Sequence, residues 1–126
     1  MSNLHAVAWL DHSDAHIIRF SRDETHAPEH VHSSHGHQHL HNKHAPHAQH
    51  QPPTDFFDDI ARSLADAHEI LICGPGTAKN EFVKHVEKHH RAIQPKIYGV
   101  ETVDHPSDEQ LLKFARSFFL AADRMR

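Results

Sequence analysis

The sequence predicts an α/β domain: a mixed sheet whose first strands form an antiparallel hairpin or meander and whose later strands form a parallel β-α-β-α half, with helices on its faces. Three observations carry that expectation. Residues 69–104, EILICGPGTAKNEFVKHVEKHHRAIQPKIYGVETVD, read as strand, tight turn, helix and strand. Residues 5–20 place two short apolar runs on either side of a polar turn. Segments 54–67 and 108–122 repeat their apolar residues at helical spacing.

Composition bounds the answer. A chain of 126 residues suits one domain with one core. Apolar content is only 37%, and the deficit is local. Residues 26–50 hold ten of the 18 histidines and almost no large apolar side chain. The formal charge is -4 with histidine neutral, and protonating all 18 would carry it to +14. Imidazole titrates near pH 6.5; its neutral form binds metals and its protonated form binds phosphates, so the composition permits both and chooses neither. The lone Cys73 excludes an internal disulfide, and its place in an apolar strand predicts a core thiol in a reducing compartment. Neither a long apolar run nor a leader pattern is present, which predicts a cytoplasmic protein without membrane contact.

In order, residues 6–10 and 15–20 are the arms of a hairpin, with Asp11, His12, Ser13 and Asp14 as turn formers. Residues 21–31 extend it to a third strand. Residues 26–53 are a His-rich, low-complexity insert within the single domain 1–126. In extended backbone, alternate residues share a face about 6.5–7 Å apart. His30, His32, His35, His37, His39 and His41 therefore form a candidate ligand set for zinc, nickel or copper. Gly36, Pro46, Pro52 and Pro53 argue equally for a tract that need not fold.

The 54–67 helix has Thr54 as N-cap and buries Phe56, Phe57, Ile60, Ala61, Leu64 and Ala67. The strand at 70–73 is a continuous apolar run, as expected of a strand covered on both faces. Gly74, Pro75 and Gly76 end it, and a helix from Thr77 carries Phe82, Val86 and Ile93 along one stripe. A glycine turn entering a helix can hold an anion on free amides, so Gly74, Gly76, Thr77 and Lys79 form a candidate RNA- or anion-binding set. Lys84, Lys88 and Arg91 extend it along the helix. The P-loop pattern is absent. His85 and His89 have chelating spacing, although a solvated helix face accounts for them as well. Residues 96–100 return as a strand parallel to 70–73. Ser107 and Gln110 form a capping box that starts the last helix.

This order of elements resembles the ribonuclease H-like arrangement. Within it, AVAWLDHSDAHIIRF, ILICGPGTAKNEFVKHV and YGVETVDHPSDEQLLKFA resemble the superfamily of translational machinery components. That group includes the middle domain of archaeal and eukaryotic class I release factors and of Pelota. The chain looks still more like the small bacterial proteins called translational machinery protein. The resemblance implies ribosome or RNA partners. The Gly-Gly-Gln tripeptide that release factors carry before the first helix is absent, and the His-rich stretch stands in its place. The implied role is therefore non-catalytic binding, with histidine-borne metal binding as the alternative. A ribonuclease H-like, metal-dependent hydrolase would need Asp11 and Asp104, joined by Asp14 or Glu101, to converge at strand ends. Kink-turn-binding ribosomal proteins share the Gly76, Lys79, Asn80, Glu81 pattern, but they begin with a helix. A twofold pairing through an edge of the hairpin would give a homodimer.

Overall fold

The computed structural model describes residues 4–33 and 54–124. The elements are β1 (His5–Leu10), β2 (Asp14–Phe20), β3 (Glu29–His32), α1 (Thr54–Leu64), β4 (Glu69–Gly74), α2 (Ala78–His89), a 3-10 turn (Gln94–Lys96), β5 (Ile97–Thr102) and α3 (Asp108–Arg124). They build one five-stranded sheet in the order β3-β2-β1-β4-β5. β1, β2 and β3 pair antiparallel, whereas β1, β4 and β5 run parallel. The protein is thus an α/β domain with a ribonuclease H-like mixed sheet.

The hairpin closes because the Asp11 carboxylate accepts the backbone N–H groups of Ser13 and Asp14, both at 2.8 Å. Such a side-chain acceptor satisfies the turn's amides locally. Both arms are interior strands, since β3 covers β2 and β4 covers β1. The expectation that a hairpin arm is an edge strand is therefore corrected: among the described residues the sheet's edges are β3 and β5. At the end of β4, a Cβ on Gly74 would lie 2.2 Å from the Leu10 carbonyl oxygen. Only glycine lets β1 and β4 approach so closely there.

Alternation along the strands sorts side chains onto two cores. Ala6, Ala8, Leu10, Ala15, Ile17, Ile70 and Ile72 meet α1 and α2 through Phe57, Ile60, Leu64, Phe82 and Val86. Phe57 and Phe82 cross edge-to-face with centroids 5.6 Å apart. Val7, Trp9, Ile18, Phe20, Leu71 and Cys73 meet α3 through Leu111, Ala115 and Phe119. Burying each such large side chain contributes about 1.5–3 kcal/mol. All six residues of β4 are buried: the apolar run at 70–73 requires it, and the Glu69 carboxylate lies 3.1 Å from His5 Nε2. α1 ends at Leu64 rather than at 67: the Ala65 and Ala67 amides bond Arg62 and Leu64 carbonyls as the chain tightens toward β4. α3 starts on the expected capping box, with the Ser107 amide donating to Gln110 Oε1 and the Gln110 amide to Ser107 Oγ.

Candidate functional site

Because β1, β4 and β5 run parallel, the turns after Leu10, Gly74 and Thr102 emerge at one edge of the sheet, and the antiparallel β2 begins there. β3 ends at the same edge, where the Ser33 amide donates to the Ser13 carbonyl at 2.8 Å. His16 and His30 are direct cross-strand partners on the face that α3 covers. Asp108 opens α3 above them. The His16 Nδ1 lies 3.2 Å from Asp108 Oδ1, and His30 Nε2 lies 3.9 Å from Asp108 Oδ2. The two rings meet edge-on with centroids 4.0 Å apart. His32 follows on the same face, its ring 6.4 Å from that of His30, and pairs with Asp14. Trp9 walls the cluster on the inner side. Its indole N–H donates to the Val103 and Asp104 carbonyls at 3.0 and 2.8 Å, and its ring is 4.8 Å from that of His105. Trp9, His16, His105, Pro106 and Leu111 line a cavity of about 40 Å³, room for water but not for a substrate.

Of the six histidines proposed as ligands from spacing, His30 and His32 are placed on β3, on one face as alternation requires. His35, His37, His39 and His41 lie outside the described residues. The third and fourth partners at this edge, His16 and Asp108, are separated from His30 by a strand turn and by most of the chain.

Of the acids in the hydrolase reading, Asp11 and Asp104 approach each other through His105, and Asp14 pairs with His32. Asp11 is occupied by its own turn, and His105 bridges it to Asp104, with Nε2 3.8 Å from Asp11 Oδ2 and Nδ1 3.1 Å from Asp104 Oδ1. Among the described residues, the groups with three potential metal ligands within 4.8 Å of one another are His16, His30, Asp108 and Asp58, His85, His90. Neither contains two carboxylates, as two-metal hydrolysis would need. Cys73 supplies no nucleophile: burial, assisted by the nearby Glu101 carboxylate, pushes its thiol up to about 12.

The second group joins α1 to the end of α2. His85 Nε2 and His90 Nε2 both reach Asp58 Oδ1, at 2.7 and 2.8 Å. These are hydrogen-bond distances onto a single oxygen, a saturated interhelical clasp. The bonds from His85 and then His90 hold the Asp58 carboxyl below the usual carboxylate range, against the opposing effect of burial. His85 and His89, which have chelating spacing on one helix, have their rings 4.6 Å apart, but the partner that joins His85 on Asp58 is His90.

In the glycine turn, the Thr77 and Lys79 side chains find local partners. Thr77 Oγ1 donates to Glu81 Oε2 at 3.1 Å, and the Lys79 ammonium donates to the Gly76 carbonyl. Lys79 is only 7% exposed, so its charge serves the turn. A Cβ at Gly76 would meet nothing within 4 Å, whereas Gly74 is hemmed in by β1. Lys84, Lys88 and Arg91 are exposed, and their spacing of four and three residues aligns them on one side of α2 and its exit.

No protein-family model matches the sequence, and no curated protein matches it. Solved structures do. Pelota from Archaeoglobus fulgidus superposes with a TM-score of 0.64 at 14% identity, over 90% of this chain and 31% of that one. Pelota from Thermoplasma acidophilum gives 0.66 at 17% identity, over 90% and 32%. An archaeal translation termination factor gives 0.60 at 16% identity, over 86% and 32%. The chain therefore spans about a third of the length of these proteins. At such identities the likeness is one of fold: this is a domain with a Pelota- and release-factor-like fold.

Proposed function

We propose that the chain is a non-catalytic, translation-associated domain of the small bacterial translational machinery kind, binding the ribosome or RNA. The observation that carries this reading is the fold likeness over 86–90% of the chain to two Pelota proteins and a termination factor. Lys84, Lys88 and Arg91 offer phosphate contacts on the exposed side of α2. The missing Gly-Gly-Gln tripeptide and the inert Cys73 argue for attachment rather than turnover. Phosphate contacts release counterions, so binding of this type weakens steeply with salt. Co-sedimentation with ribosomes at low and high salt, at pH 6.5 and 7.5, tests the reading. The protein is expected in the pellet at low salt and released at high salt. Its absence from the pellet under all four conditions refutes the proposal.

A second reading, divalent metal binding by the His-rich stretch, is favoured by the shared face of His30 and His32 on β3. Zinc, nickel or copper would suit imidazole ligands. Metal analysis of untagged protein after dialysis tests it, and a metal-free product counts against it.

A further inference from the structure

We infer that His16, His30 and Asp108 form a site for a single divalent transition metal ion, with zinc the best match, built by the folded domain itself. The site deepens the metal-binding reading, from which it differs in requiring no residue of the 34–53 segment.

The argument begins with spacing. A tetrahedral zinc ion with nitrogen and oxygen ligands at about 2.0–2.1 Å sets its ligand atoms about 3.3 Å from one another. Here the carboxylate oxygens of Asp108 lie 3.2 Å from His16 Nδ1 and 3.9 Å from His30 Nε2, and all three ligand atoms fall within 4.8 Å of one another. The clasp at Asp58 makes the contrast. Its distances of 2.7 and 2.8 Å converge on one oxygen, so two hydrogen bonds account for the whole arrangement there.

A hydrogen bond from His16 to the first turn of α3 would account for that one pair. It does not account for His30, which reaches the other oxygen of the same carboxylate from a different strand. Bringing two imidazoles edge-on at 4.0 Å, with a carboxylate spanning both, gives the two-histidine, one-carboxylate set that nitrogen-preferring divalent metals take. The three ligands come from β2, β3 and α3, so the sheet and the helix packed on it hold their spacing before any ion arrives. His16 is about one-third exposed at its side chain and His30 about half, leaving the outer coordination position open to water. One feature opposes the ion: the start of α3 is the positive end of its dipole. The Asp108 carboxylate stands directly there and offsets it.

The test uses the full chain and separates this site from the His-rich stretch. A ligand raises stability only insofar as it prefers the folded state. Histidines that bind equally in the unfolded chain take up metal without moving the melting temperature. Zinc at about tenfold above its dissociation constant for the site should raise the melting temperature by roughly 5–10 °C. His16→Gln and Asp108→Asn should each abolish that shift, while calorimetry still records zinc uptake by the remaining histidines. Asp108→Asn alters a partly exposed position at a helix start, so it keeps the test decisive if His16→Gln folds poorly. Absence of a shift in the unaltered protein overturns the site, and so does a shift that survives either substitution. If the shift is absent while calorimetric uptake persists, the folded site fails and metal binding by the His-rich stretch stands. If both are absent, both fail.

Discussion

Asp58→Ala is the substitution whose cost follows most directly from the geometry. It removes two hydrogen bonds, from His85 at 2.7 Å and His90 at 2.8 Å, that tie α1 to the end of α2. Each bond to a charged acceptor contributes about 1.5–3 kcal/mol. The Asp58 side chain is 33% exposed, so solvent screening favours the lower end. The pair then contributes about 3 kcal/mol, equivalent to roughly 10–20 °C in melting temperature for a domain of this size. Asp58→Asn keeps a neutral acceptor and should cost about half as much. The pH dependence has a definite sign. The folded carboxyl is held below its unfolded value, so its contribution is complete above that value, about 3.9, and is lost as pH falls through the folded one. Urea denaturation followed by circular dichroism at pH 7 and at pH 3.5 measures both variants. A wild-type to Asp58→Ala difference below about 0.5 kcal/mol at pH 7, or one that does not shrink in acid, refutes the clasp.

Other expectations are as direct. Gly74→Ala should destabilise by about 3 kcal/mol, because its new methyl meets the Leu10 carbonyl at 2.2 Å; an unchanged urea midpoint would contradict that close approach. Ser107→Ala should cost about 1 kcal/mol through loss of the bond to the Gln110 amide, measured the same way. Cys73 should resist thiol reagents until the domain unfolds, so labelling that outpaces unfolding would contradict its buried, high-pKa state. Replacing Lys84, Lys88 and Arg91 together by glutamine should lower the slope of log affinity against log salt by about 2–3 in an RNA- or ribosome-binding assay. An unchanged slope would move the contact elsewhere on the surface.

Much of the fold was legible in the chain because local chemistry and long-range packing agree. The buried β4 is announced by an uninterrupted apolar run, the hairpin by its turn acids, and α3 by Ser107 and Gln110, whose reciprocal bonds are as expected. The site was legible only in part. Spacing placed His30 and His32 on one face but could not supply His16 and Asp108. Their meeting depends on α3 crossing the sheet over β2, a contact between residues 92 positions apart. Helical spacing likewise singled out His89 beside His85. The clasp instead uses His90, which sits past the helix end at φ -137°, ψ 59°, where the backbone leaves the helical path. Its place after the glycine turn puts Lys79 in the candidate anion-binding set. The turn recruits it inward, since the Gly76 carbonyl at the turn needs a donor and the Lys79 ammonium supplies it.

The single tryptophan gives this architecture a built-in optical readout. Trp9 is pinned by its indole N–H to the connection before α3, and its ring lies 5.6 Å from that of His16. Any change at the neighbouring His16 ring, or in the helix above it, changes the surroundings of one fluorophore. The state of this edge of the sheet can thus be followed by intrinsic emission, with no label attached.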